Sequence, residues 1–89
     1  MLIAKRLAIS GKVQGVFYRD WTVKNAREFG LAGWVRNEAD GTVSAHLEGE
    51  EPTVRMMIDQ LHRGPPAARV ASVAEEDAML EGLASFDRR

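Results

Sequence analysis

The stretch GKVQGVFYRD, Gly11 to Asp20, is where the sequence changes its period. Before it, Leu2 to Ser10 alternates, with Leu7 and Ile9 on one face and Arg6, Ala8 and Ser10 on the other. That period of two predicts a strand. After it, Tyr18, Trp21, Thr22, Ala26 and Phe29 fall on one side of a helix, while Lys24, Arg27 and Glu28 fall elsewhere. A strand therefore feeds a helix through a segment carrying two glycines and one arginine.

Working outward, Gly30 follows Phe29 where a helix end favours a residue free to take positive φ. Ala32 to Asn37 (AGWVRN) reads as a second strand, and Glu38 to Gly41 (EADG) supplies Asp-Gly turn chemistry. Thr42 to Glu48 alternates with Val43, Ala45 and Leu47 inward, which predicts a third strand. Pro52 suits a helix's first turn, and Glu50 and Glu51 suit its positive end. Val54, Met57, Ile58 and Leu61 then form the stripe of a second amphipathic helix, which RGPPA (Arg63 to Ala67) stops. Arg69 to Val73 fits a fourth strand. The tail from Glu75 is weakly patterned, with a short fifth strand over Leu83 to Asp87 left open.

The order is β-α-β-β-α-β. Two amphipathic helices and four half-apolar strands bury their faces most economically with both helices on one face of an antiparallel sheet. Right-handed crossovers then favour a ferredoxin-like α/β sandwich of the α+β class, with strands in the spatial order 4-1-3-2. In that layout the end of the first strand, the start of the first helix and the end of the second strand share one sheet edge. Two strand spacings, roughly 10 Å, separate strands 1 and 2, a gap that a long arginine side chain largely spans.

The bulk properties set limits on function. The chain has 89 residues, 12 basic and 13 acidic, for a formal charge of −1, and no cysteine. This length suits one domain over residues 1–89. Without cysteine there is no disulfide, thiolate ligand or cysteine nucleophile. The balanced charge gives no support to general nucleic-acid binding, and no apolar run has the length of a membrane span. The first residues, MLIAKRLAIS, place their charges after a short apolar run, the reverse of a secretory signal. The expectation is a soluble, cytoplasmic protein.

Two readings of Gly11–Asp20 remain open on spacing alone. One is a tight turn with a surface arginine. The other is an anion cradle, in which glycines let successive backbone N–H groups point inward at a helix N-terminus and an arginine adds a fork of donors. No Gly-Lys-Ser/Thr follows the second glycine, so it is not a nucleotide P-loop, and the spacing does not fit the dinucleotide fingerprint.

The residues themselves carry a resemblance. Gly11-Lys12-Val13-Gln14-Gly15-Val16-Phe17-Tyr18-Arg19 resembles the first signature of the acylphosphatase family. Gly30 to Asn37, followed by Asp40-Gly41-Thr42-Val43, resembles the second, and Gly64-Pro65-Pro66-Ala67 stands where such proteins commonly carry Gly-Pro. The similarity covers about residues 3 to 73. It implies hydrolysis of the carboxyl-phosphate bond of small-molecule acyl phosphates without metal or cofactor, with inorganic phosphate as product and inhibitor. It implies catalytic roles for Arg19 and Asn37 and a phosphate cradle built from the backbone of Gln14, Gly15, Val16, Phe17, Tyr18 and Arg19. A monomer is expected.

Other polar residues have simpler readings. His46 falls on the outer face of strand 3 and reads as a solvated histidine. His62 ends helix 2, where a cation suits the dipole. Two histidines on different elements make a metal site improbable. Asp20 reads as a first-turn helix acid. Arg36 points away from Asn37 by alternation, Trp34 reads as packing, and Glu50, Glu51, Glu75 and Glu76 read as solvated. An RNA-recognition domain has the same element order but needs aromatics on strands 1 and 3, which LIAKRLAIS and TVSAHLE lack. A small-molecule regulatory domain is the other rival, and turnover of a simple acyl phosphate discriminates against both.

Overall fold

In the computed structural model, which covers residues 1–89, β1 (Leu2–Lys12) leads into α1 (Tyr18–Glu28). There follow β2 (Ala32–Asn37), β3 (Val43–Glu50), α2 (Glu51–Arg63), β4 (Arg69–Ala78) and β5 (Phe86–Arg88). The sheet order is β4-β1-β3-β2-β5, so the expected 4-1-3-2 arrangement holds and gains one strand. β1 pairs antiparallel with β3 and β4, and β2 antiparallel with β3.

The all-antiparallel sheet needs a correction. β5 runs parallel to β2, with Gly33 opposite Phe86 and Val35 opposite Arg88, so the sheet is mixed. The cause is connectivity: the chain leaves β4 at one edge, crosses the sheet through residues 79–85 and returns along the opposite edge. A second difference is the length of β4, which continues to Ala78 rather than ending near Val73. It is an edge strand with most side chains exposed on both faces, so it carries no alternating signal. Its acidic run is held by charge instead: Asp77 lies 2.6 Å and Glu75 3.8 Å from Lys5 Nζ on β1.

The core lies between the sheet and the two helices. Leu7, Ile9, Val35, Val43, Ala45 and Leu47 face inward from the strands, and Tyr18, Ala26, Val54, Met57, Ile58 and Leu61 from the helices. Each large aliphatic side chain fully buried there contributes about 1.5–3 kcal/mol before entropy is counted. Phe86 joins the same cluster and anchors the tail. α1 ends in a pair of bonds, Leu31 N–H to the Ala26 carbonyl (2.9 Å) and Gly30 N–H to the Arg27 carbonyl (3.0 Å). Gly33 has a different task. Its φ is 143° and an added Cβ would come within 1.8 Å of the His46 carbonyl oxygen, so β2 and β3 pack there only because no side chain intervenes.

The outer face departs from expectation at His46. It is on that face, but it is fully buried rather than solvated. The Trp34 ring stacks beside it at 5.9 Å between centroids, and Glu48 lies 2.7 Å from its Nε2. Strand alternation selects a face. It does not say whether distant residues cover that face, and here Trp34, Arg6 and the loop after β4 do so.

Candidate active site

β1 ends at Lys12, and the chain turns through residues 13–17 into α1. Gly15 takes φ 73° and Phe17 takes φ 64°, both left-handed, while Val16 between them does not. Alternation of this kind turns successive N–H groups toward one side and makes a concavity for an anion. Gly15 meets no special strain in that conformation. Phe17 is the one non-glycine residue in the chain with positive φ, although it is 78% exposed and little packing holds it.

The donors of this loop are free. None of the backbone hydrogen bonds made by turns, loops and caps starts from an N–H of residues 14–20. Phe17 caps α1 without a side-chain bond, so the first N–H groups of the helix are left without a capping acceptor. Meanwhile the loop is fixed from below. Val13 and Val16 are buried in the core. Gln14 Nε2 donates to the main-chain oxygens of Glu38 and Thr42, both at 2.8 Å, and so ties the loop to the β2–β3 turn. The Tyr18 hydroxyl donates to the Leu61 carbonyl at 2.6 Å, and burial pushes its pKa well above the ordinary phenol value.

A cleft of about 240 Å³ opens over this loop, and Gly15, Phe17, Arg19, Asn37, Asp20 and Arg88 line it. The structure thus brings Arg19 and Asn37, from α1 and β2, to the rim of one depression with the loop between them. Of the cradle residues, Gly15, Phe17, Tyr18 and Arg19 line it, whereas the Gln14 side chain points to the turn and Val16 to the core. Arg19 Nη1 donates to the main-chain oxygen of Arg89 at 3.3 Å. Its other guanidinium donors have no protein partner, and the residue lines the cleft. Arg36 lies on the opposite face, over the Trp34 ring at 4.8 Å, as alternation requires.

One residue of the cleft, Arg88, is not singled out by the sequence, and the sequence does not reveal its pairing with Asp20. Arg88 Nη1 donates to Asp20 Oδ1 at 2.8 Å, so the last strand closes on the first helical turn. Asp20 is thus an ion-pair partner as well as a helix acid. The basic pair at the end of ASFDRR was the available signal, but it means nothing until the tail is known to run beside β2. Two guanidinium groups, Arg19 and Arg88, and one carboxylate, Asp20, line the cleft. A larger depression of about 310 Å³ lies on the outer face between Arg6, Trp34, Arg36 and Glu76. Its arginines already engage Glu81, Glu38 and the indole. No cluster of three or more histidine, aspartate or glutamate side chains is arranged to hold a metal, and no helix is long and apolar enough to cross a membrane.

A βαββαββ chain with both helices on one sheet face, and with an unpaired N–H loop, an arginine and an asparagine at one sheet edge, defines a small ferredoxin-like α+β protein. Comparison with known proteins specifies which kind. The acylphosphatase family model matches residues 5–87. An acylphosphatase of Acidiphilium cryptum is 51% identical over 88 residues, 99% of this chain and 97% of that protein. The acylphosphatase structure from Coxiella burnetii superposes with a TM-score of 0.95 at 36% identity, over 99% of this chain and 93% of that one. The structure from Bacillus subtilis gives 0.95 at 32%, over 100% and 99%. The chain belongs to the acylphosphatase family.

Proposed function

We propose that this chain hydrolyses the carboxyl-phosphate bond of acyl phosphates to a carboxylate and inorganic phosphate, without a metal ion. The observation that carries this reading is the run of unpaired N–H groups from Gly15 to Arg19 lying in one cleft with Arg19 and Asn37. Family membership supports the reaction class, and the roles of the residues are our assignment.

The chemistry asks little of the protein. An acyl phosphate is a mixed anhydride whose carboxylate leaves readily, so strong acid catalysis is unnecessary. The loop N–H groups and the Arg19 fork neutralise the phosphoryl oxygens and hold the group in place. Asn37 orients a water, its side-chain oxygen accepting from it. That water attacks phosphorus, the bond from phosphorus to the acyl oxygen breaks, and the carboxylate departs with the electron pair. The proton lost by the water goes to a phosphate oxygen of the substrate, because the one carboxylate lining the cleft, Asp20, is engaged by Arg88. Inorganic phosphate occupies the same cradle and competes with substrate. We further propose that the protein acts as a cytoplasmic monomer, with no nucleic-acid partner.

Hydrolysis of benzoyl phosphate with and without EDTA tests this. Turnover unaffected by chelator, with competitive inhibition by phosphate, is the expected result. Activity abolished by EDTA and restored by a divalent ion overturns the metal-free mechanism, and an inert protein overturns the reaction.

A further inference from the structure

The outer sheet face carries a buried polar chain that the proposed reaction does not use. Glu48 is only 6% exposed, and an unsatisfied carboxylate at that depth is strongly destabilising. Here it is fully engaged. Oε2 accepts from the Glu81 N–H at 2.6 Å and from His46 Nε2 at 2.7 Å, and Oε1 accepts from the Leu83 N–H at 3.3 Å. Arg6 Nε donates to His46 Nδ1 at 3.3 Å, so the ring proton sits on Nε2 and faces Glu48. Arg6 Nη2 also reaches Glu81 at 3.4 Å. All these contacts converge on one outcome, the placement of residues 81–83.

That segment leads directly to β5. The Gly33 N–H bonds the Ser85 carbonyl at 2.9 Å, and Phe86 drops into the core. β5 has only three residues, Phe86–Arg88, too few to hold a position by pairing alone. Their far end meets the cleft. Arg88 pairs with Asp20 at 2.8 Å, the Arg89 N–H bonds the Val35 carbonyl at 2.8 Å, and the Arg89 main-chain oxygen accepts from Arg19 at 3.3 Å. One short segment thus has a buried carboxylate at its start and the cleft arginine at its end.

We propose that Glu48 is a positioning residue for Arg19, acting through residues 81–89. The inference rests on the reading of Arg19 as the phosphate-binding arginine. Displacing residues 81–83 shifts β5, releases the Arg89 oxygen from the guanidinium, and leaves Arg19 free to sample unproductive rotamers. A displacement of an ångström or so at such a group is enough to slow a reaction tenfold or more.

The test is a cycle between Glu48→Gln and a chain ended at Asp87, which lacks the Arg88–Asp20 and Arg89–Arg19 contacts but keeps Phe86 and the bond from Arg27 of α1 to its carbonyl. Glutamine places an NH2 group against donors that require acceptors. Turnover of benzoyl phosphate and inhibition by inorganic phosphate are measured below the melting temperature of every variant. In the full chain Glu48→Gln should lower kcat/KM about tenfold and weaken phosphate inhibition. In the shortened chain it should change either by less than about twofold. Equal losses in both backgrounds, or a lowered Tm with kinetics untouched in the full chain, overturn the role. Should Glu48→Gln not fold, Leu83→Pro removes one held N–H while leaving the carboxylate, and the same comparison applies. An Arg19→Ala variant that keeps full activity overturns the function reading of Arg19 instead, so the two failures are distinguishable.

Discussion

The Tyr18 hydroxyl donates a 2.6 Å hydrogen bond to the Leu61 carbonyl, joining the first residue of α1 to the last turn of α2. The bond is buried and lies directly beneath the loop, so both helices bear on the cleft through one phenol. Tyr18 contributes to the proposed cradle through its backbone, which a side-chain change leaves in place. Tyr18→Phe should therefore cost about 1 kcal/mol of stability from the lost bond and the stranded carbonyl. Its kcat should stay near wild type. Urea unfolding and benzoyl phosphate turnover on one preparation check both halves.

Arg19→Lys keeps the charge and removes the planar fork. If the guanidinium holds two phosphoryl oxygens while its Nη1 rests on Arg89, a lysine cannot make the same set of contacts. The expected loss in kcat/KM is roughly a hundredfold or more, the scale for one preorganised donor. Phosphate inhibition should weaken in parallel, because the same contacts serve product. Near-wild-type kinetics with normal phosphate inhibition count against a bidentate role.

Acid should weaken the fold through Glu48. Burial alone raises its pKa, but the Glu81 N–H, His46 and the Leu83 N–H outweigh that and hold it below the ordinary carboxylate range. A carboxyl with a depressed folded pKa gives stability that is complete above its unfolded value, about 4.3. That stability is lost as pH falls through the folded value. The stability gap between wild type and Glu48→Gln should accordingly shrink as pH is lowered from 6 to 3, followed by urea midpoints at each pH. A gap that stays constant over that window would remove the ionised carboxylate from the explanation.

The same residue marks the limit of what sequence alone conveys. The strands and helices with one buried face are legible, because Leu7, Ile9, Val43, Ala45, Leu47 and the α2 stripe repeat with the period of their element. β4 beyond Val73 is not, since an exposed edge strand has no face to encode, and its Glu75 and Asp77 answer to Lys5 on another strand. β5 has three residues and is defined by what it pairs with. In the cleft, Arg19 and Asn37 stand in local motifs and can be read. The Arg88–Asp20 pair spans 68 positions and cannot. His46 and Glu48 were assignable to the outer face, but their burial depends on a loop more than thirty residues away. Phe17 illustrates a further limit: its positive φ is imposed by the loop around it, not by its own preference.

That imposed conformation is testable. Phe17 is exposed, so little packing is lost on truncation, while a left-handed φ costs an ordinary side chain roughly 1 kcal/mol or more. Phe17→Gly should leave the melting temperature unchanged or slightly raised. Gly15→Val should lower it, because Gly15 takes φ 73° in open space where a β-branched residue is strained without any clash. Calorimetry of the two variants separates strain carried by the loop from packing.

Asn37 gives the sharpest division between a structural and a catalytic part. An asparagine before a turn commonly bonds nearby backbone and so stabilises the turn. Here the turn is closed by other groups. The Glu38 N–H bonds the Thr42 carbonyl at 2.8 Å, the Thr42 N–H and hydroxyl both reach Asp40 Oδ1 at 3.0 and 2.7 Å, and Gln14 clasps the turn from the loop side. The Asn37 side chain is exposed, makes none of these bonds and lines the cleft. Asn37→Ala should fold with a melting temperature close to wild type and should bind inorganic phosphate normally, because the loop and Arg19 are intact. Its kcat should fall by roughly a hundredfold, the cost of removing one preorganised hydrogen-bonding group from a transition state. Measuring kcat, phosphate inhibition and Tm on the same preparation decides the matter. A variant that is destabilised yet fully active per folded molecule would make Asn37 a turn residue, and water orientation would then have to come from the loop and Arg19.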